Sequence, residues 1–171
     1  MSRVRLLGLL LVLAVAAYTA TAGDDSGGSP EREGARVGKV VRVVDGDTIH
    51  VRVGDTREKV RYIGVDTPES VKPGTPVQCF GRRASEFNTR FVGGERVRLV
   101  LDAEERDRYG RLLAYVYRVR DGRFVNAALV RRGYAQALTI PPNVAHAEEF
   151  RRLGSAARRA GRGLWSACQA S

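Results

Sequence analysis

Two short stretches concentrate the side chains able to do chemistry: residues 44–48, Val-Asp-Gly-Asp-Thr, and residues 61–69, Arg-Tyr-Ile-Gly-Val-Asp-Thr-Pro-Glu. They hold Asp45, Asp47, Asp66, Glu69 and Arg61 among valines and isoleucines, and charges that close to an apolar core need a counter-ion or a substrate. Hydrolysis of a phosphodiester calls for such an inventory. Charge on a pentacoordinate phosphorus must be neutralised, a water delivered in line, and a leaving alkoxide protonated. Asp47 and Asp66 offer oxygen ligands suited to Ca²⁺ or Mg²⁺, and no histidine or thiolate cluster suits zinc. Arg61 and Arg111 carry the planar fork that grips a phosphate through two N–H groups. Glu69 is the spare carboxylate that would activate water.

Taken singly, each residue has a plainer reading. Asp45-Gly46 is a common turn, residues 66–69 resemble a strand-to-loop cap, and Arg111 is one of many solvated arginines. The joint reading rests on position, because the acids and Arg61 fall at the ends of strands predicted to be buried, where solvated charges would be misplaced.

Those strands follow from hydrophobic period. From Val37, Val41 and Val43 alternate with Arg42, and Ile49, Val51 and Val53 alternate with His50 and Arg52, the pattern of strands with one buried face. Gly54-Asp55-Thr56 supplies a turn, and residues 59–65 alternate again. Residues 95–101 and 111–118 read as a fourth and fifth strand. Residues 69–79 contain two prolines and a glycine and no hydrophobic period, which predicts a mobile loop beside the acids. Helices are expected over 82–92, with Ala84, Phe87 and Phe91 on one face, over 126–132, ending at Gly133, and over 144–160, with Ala147, Phe150, Leu153 and Ala157 on one side. The fold class is therefore α+β, mainly β: a small closed barrel with three helices.

The chain has 171 residues, 43% of them hydrophobic, enough for one domain with a sizeable core. Lysine and arginine number 29 against 19 acidic residues, a net charge of +10, which favours a polyanionic partner but equally an anionic surface or solubility alone. Residues 1–22 read as an export signal, with Arg3 and Arg5, an apolar run from Leu6 to Ala17, and Ala20-Thr21-Ala22 as a small-x-small cleavage site. Cleavage there removes those two arginines and leaves +8. Residues 23–36 are glycine, serine, proline and charge, expected as a flexible tether to a domain over 37–171. The exported chain is expected to be secreted and monomeric, with no membrane span once the signal is removed.

The two stretches, together with residues 107–115 (Asp-Arg-Tyr-Gly-Arg-Leu-Leu-Ala-Tyr), 125–130 (Val-Asn-Ala-Ala-Leu-Val) and 163–166 (Gly-Leu-Trp-Ser), resemble the staphylococcal nuclease (thermonuclease) family, in family order from about residue 37 to 166. The resemblance implies an oligonucleotide/oligosaccharide-binding (OB) fold barrel of five strands with three helices. It also implies calcium-dependent hydrolysis of DNA and RNA leaving 3′-phosphate ends. Asp47, Asp66 and the Thr67 carbonyl would hold Ca²⁺, Glu69 would be the general base, and Arg61 and Arg111 would bind the scissile phosphate. Arg108 and Tyr109 fall where the family contacts a terminal phosphate, and Leu113 lies beside them in the same motif. Where the best-known member has two pocket tyrosines, this chain has Leu138-Thr139-Ile140-Pro141-Pro142. Two other classes compete: an OB module that binds nucleic acid without cutting it, and a surface protein using calcium for rigidity. The first has no need to keep all five charged residues together, and the second has no need of the arginines.

Cys79 and Cys168 are the two cysteines of the chain. In an exported protein they have one intramolecular pairing available, and a disulfide between them is expected.

Overall fold

The computed structural model describes residues 35–71 and 74–168. The export signal, residues 23–34 of the tether, and Lys72 and Pro73 of the loop after Glu69 lie outside the described residues. Seven strands occur among those described. They are β1 (Ala35–Val43), β2 (Thr48–Val53), β3 (Thr56–Tyr62), β4 (Val65–Asp66), β5 (Arg96–Val100), β6 (Leu112–Arg118) and β7 (Gln136–Ala137). Five of them close a barrel in the order β1-β2-β3-β6-β5, with β5 returning to pair with β1. The parallel pair is β3 with β6; the other barrel pairs are antiparallel. Closure removes the exposed edge that an open sheet of this size would carry. The α+β class and five-stranded barrel expected from the sequence are both present.

The boundaries differ in instructive ways. β1 starts at Ala35, within what composition assigned to the tether. Its inward residues are Gly38 and Val40, the latter 1% exposed, and then Val43, which packs on the core, whereas Val41 is 40% exposed, so of the expected pair Val41 and Val43 only Val43 faces inward. The register shift between Val40 and Arg42 explains this: a bulge inserts one residue and reverses the side-chain alternation beyond it. The strand expected over 59–65 stops at Tyr62. Gly64 has φ +76°, and any side chain there would overlap the ring of Phe150. The chain therefore bends, and Val65–Asp66 pairs instead with Gln136–Ala137 in a separate two-stranded sheet.

Three helices pack against the barrel: α1 (Gly81–Val92), α2 (Val125–Arg131) and α3 (Ala147–Arg159); a fourth, α4 (Leu164–Ala167), is a single turn that the sequence reading did not anticipate. Helical spacing places Ala84, Phe87 and Phe91 on one face of α1, and all three are buried. α3 begins three residues later than expected. Residues 143–145 are held out of the helix by partners on the loop before β6: Asn143 exchanges hydrogen bonds with the Glu104 backbone at 2.8 Å each, and the Ala145 N–H donates to Asp102. Cys79 and Cys168 form a disulfide, with a Cα–Cα distance of 5.8 Å across 89 positions; a loop of that length stabilises by at most about 4–5 kcal/mol on chain entropy alone. Among the described residues, no helix is long and apolar enough to cross a membrane.

Asn126, fully buried at the start of α2, ties this helix to the bend. Its Oδ1 accepts the Val116 N–H at 3.0 Å, and its Nδ2 donates to the Ile63 carbonyl at 2.8 Å. Asn126→Ala would leave a buried donor and a buried acceptor unmatched, and should destabilise the fold by about 2–4 kcal/mol. Urea denaturation measures this directly, and a loss of less than about 1 kcal/mol would mean that water replaces the amide.

Candidate active site

The loop between β1 and β2 is folded back on itself, with the N–H groups of Val44 and Asp45 both donating to the Thr48 carbonyl, at 2.9 and 3.3 Å. Glycine is required inside it because a Cβ at Gly46 would lie 2.7 Å from Thr67 Oγ1. That close approach brings the second motif onto the first. Asp47, 5% exposed, accepts the Thr67 N–H and hydroxyl on Oδ2, both at 2.8 Å, and the Thr48 hydroxyl on Oδ1 at 3.1 Å. Asn88 of α1 braces the same loop, donating to the Asp45 carbonyl at 3.0 Å and accepting the Tyr62 hydroxyl at 3.0 Å.

Arg61, near the end of β3, is the common counter-ion of the two acids assigned to the cation. Its guanidinium lies 3.2 Å from Asp47 Oδ1 and 3.0 Å from Asp66 Oδ1. The bend after Tyr62 turns backbone oxygens toward it, and Nη1 donates to the carbonyls of Tyr62 and Val65 at 3.1 and 2.8 Å. One guanidinium does not relieve the negative charge collected here. Burial, and then the Asp47 charge, push the Asp45 carboxyl up to about 6, and partial desolvation together with the charges of Asp47 and Glu69 raises the more exposed Asp66 despite the opposing pull of Arg61.

The parallel pairing of β3 with β6, in which Arg61 sits opposite Leu113, brings Arg111 to the same end of the barrel. Arg111 is oriented by a residue to which the sequence reading gave no role. Asp107 accepts the Arg111 Nε–H at 2.6 Å and its backbone N–H at 3.0 Å. Burial pushes the Asp107 carboxyl up, but the hydrogen bonds from Arg111 and the Tyr109 N–H outweigh it and hold the group below the usual carboxylate range. The pair therefore stabilises the fold above the ordinary aspartate pKa, and that contribution is lost only as pH falls below it. The signal was present in the Asp-Arg-Tyr-Gly-Arg turn, where an aspartate stands four residues before the arginine.

Six of the expected site residues, Asp47, Arg61, Asp66, Thr67, Glu69 and Arg111, line one polar cavity of about 210 Å³ together with Asp45. Arg61 and Arg111 also line a more apolar cavity of about 450 Å³, shared with Arg108, Tyr109, Leu113, Leu138 and Ile140. The two cavities meet at the arginines. Arg108 stacks over the Tyr109 ring at 4.9 Å and donates to its hydroxyl at 2.7 Å, while Tyr109 remains 68% exposed. Glu69 Oε1 accepts the N–H groups of Ser70 and Val71 at 2.8 and 2.9 Å, so the carboxylate takes its direction from the backbone that follows it.

The carboxylate, hydroxyl and carbonyl donors in the polar cavity are hard oxygens, and in donor chemistry these residues fit a hard divalent cation. Among the described residues there is no group of three histidine, cysteine, aspartate or glutamate side chains arranged around one point. Such a cation would rest on two carboxylates, a backbone oxygen and solvent.

Residues 59–167 match the family model described as staphylococcal nuclease homologue. The chain is 43% identical over 128 residues to a thermonuclease of Staphylococcus hyicus, covering 75% of each chain. It is 51% identical over 104 residues to a thermonuclease of Staphylococcus intermedius, covering 61% of each. It is also 40% identical over 127 residues to the endonuclease YncB of Bacillus subtilis, covering 73% of this chain and 59% of that one. Motif order, barrel topology and these similarities agree: the chain belongs to the staphylococcal nuclease family.

Proposed function

We propose that this protein is a secreted, calcium-dependent nuclease that hydrolyses DNA and RNA and leaves 3′-phosphate ends. The observation that carries this reading is the single polar cavity in which Asp47, Asp66, Glu69, Arg61 and Arg111 converge, joined at the arginines to an open apolar cavity. Asp47, Asp66 and the Thr67 carbonyl would hold Ca²⁺, which when bound supplies positive charge against the phosphate. Arg61 and Arg111 grip the phosphate oxygens and stabilise the charge that grows on them as phosphorus becomes pentacoordinate. Glu69 accepts a proton from the attacking water, the new bond forms from that oxygen to phosphorus, and the bond to the 5′-oxygen breaks. The 5′-oxygen leaves as a hydroxyl after taking a proton from solvent, and the phosphate stays on the 3′ side. In the apolar cavity, Tyr109, Leu113, Leu138 and Ile140 offer a surface for sugar and base without aromatic walls on both sides, and Arg108 stands ready for a terminal phosphate. The Cys79–Cys168 disulfide supports an oxidising destination.

The test is direct. Single-stranded DNA and RNA incubated with the protein and Ca²⁺ should yield fragments whose 5′ ends are labelled by a polynucleotide kinase without prior phosphatase treatment. Fragments that need the phosphatase would overturn the product assignment. Because phosphates dominate the contacts and the excess charge is positive, the apparent KM should rise steeply with salt through counter-ion release.

Asp107→Ala should lower kcat by about tenfold with KM little changed, because it frees the Arg111 guanidinium to swing without removing it. Steady-state kinetics on a short oligonucleotide separates the two terms, and an unchanged kcat would show that Arg111 needs no tether.

A further inference from the structure

The segment that carries Glu69 is clamped from the far end of the loop that follows it. Gln78 bonds to Glu69 twice: its side-chain Oε1 accepts the Glu69 N–H at 2.8 Å, and its own N–H donates to the Glu69 carbonyl at 2.9 Å. Gly81, the first residue of α1, lies against the same carbonyl so closely that a Cβ would overlap the oxygen and come within 3.1 Å of the Pro68 carbonyl. Between them the chain makes a four-residue turn, closed by the Gly81 N–H on the Gln78 carbonyl at 3.0 Å. Phe80 sits in that turn at φ 68°, a left-handed conformation that side chains disfavour. Two contacts hold it there: the Phe80 ring packs on Tyr134 with centroids 5.4 Å apart, and Cys79 is bonded to Cys168, the residue that follows α4. α4 is itself fastened to the helical layer through buried Leu164, whose N–H donates to the Gly133 carbonyl at 2.9 Å.

These contacts form a continuous mechanical path from the helical layer through the disulfide and Gln78 to Glu69. Its end point matters because the Glu69 carboxylate is directed by its own backbone, through the N–H groups of Ser70 and Val71. We propose that Gln78 is a positioning residue for Glu69 and that the Cys79–Cys168 disulfide acts through it, setting turnover without contributing to substrate binding. This rests on the reading of Glu69 as the proton acceptor.

The full chain and three variants test it, with Glu69→Gln as reference. Gln78→Met keeps the shape and removes the acceptor, Gln78→Glu restores an acceptor, and Cys79→Ser/Cys168→Ser removes the bridge. Two quantities are read: kcat and KM on single-stranded DNA, and hydrogen exchange at the Glu69 amide without substrate. Gln78→Met should lower kcat about ten- to a hundredfold, the cost of a misplacement near 1 Å, with KM little changed. Its Glu69 amide should exchange faster, and Gln78→Glu should reverse both effects. The double serine variant should shift both quantities in the same direction as Gln78→Met. Wild-type kcat in Gln78→Met while Glu69→Gln is inactive would overturn the proposal, as would an unchanged Glu69 amide in Gln78→Met. Wild-type turnover in Glu69→Gln would instead overturn the assignment of Glu69 and the positioning role with it, a result separable from the others because exchange is measured without catalysis.

Discussion

Arg111→Lys should reduce kcat by roughly a hundred- to a thousandfold, the loss typical of one preorganised donor to a developing oxyanion. The geometry explains why the retained charge does not rescue it. Arg111 spends Nε on Asp107 at 2.6 Å and lines the cavity it shares with Arg61, where its remaining N–H groups would meet a phosphate. A guanidinium does both at once because its donors are fixed in one plane, whereas an ammonium is a single point that must choose between Asp107 and the phosphate. KM should change less than kcat, since the second N–H contact is made most fully when charge has accumulated on the phosphate. Stability should fall by about 1 kcal/mol or less, because Asp107 and Arg111 are a partly exposed pair near the surface. Rapid-quench turnover at saturating oligonucleotide, beside a thermal melt, measures both. Near-normal turnover would reduce Arg111 to a surface charge.

What the sequence made legible and what it hid divide along the range of the interactions involved. The barrel strands were readable because each buries one face, so period two is written into residues such as Ile49, Val51 and Val53. α1 was readable from Ala84, Phe87 and Phe91 for the corresponding reason. The phase of β1 was not readable, because the bulge between Val40 and Arg42 is set by its pairing with β2 rather than by its own residues. Nor was the early stop of β3, because the obstacle at Gly64 is the ring of Phe150, 86 positions away in the chain. The charged residues of the proposed site stood out because acids and arginines at strand ends violate the local apolar pattern. The residues that orient them did not. Asn88 and Gln78 are ordinary polar residues whose partners, Asp45 and Glu69, lie 43 and 9 positions away, and nothing local distinguishes them from solvated side chains.

Chelation should lower turnover by roughly a thousandfold or more, since a cation at a phosphoryl centre is worth several kcal/mol, and added Ca²⁺ should restore it. Two carboxylates and one carbonyl fall well short of the six to eight oxygens Ca²⁺ ordinarily takes, so half-activation should need on the order of 0.1–1 mM. The choice of mutation decides whether the experiment reports on the cation or on the fold. Asp47 is 5% exposed and holds Thr48, Arg61 and both donors of Thr67, so Asp47→Ala removes a structural hub together with a ligand. Asp66 has a side chain 57% exposed that pairs with Arg61, and Asp66→Asn keeps its shape while weakening it as a cation ligand. Asp66→Asn should therefore raise the Ca²⁺ needed for half-activation by about tenfold and leave the melting temperature almost unchanged. Asp47→Ala should lose activity and stability together. A calcium titration of activity beside a melt separates the two variants: undiminished turnover in excess chelator would sink the metal assignment, and an unshifted calcium midpoint in Asp66→Asn would remove Asp66 from it.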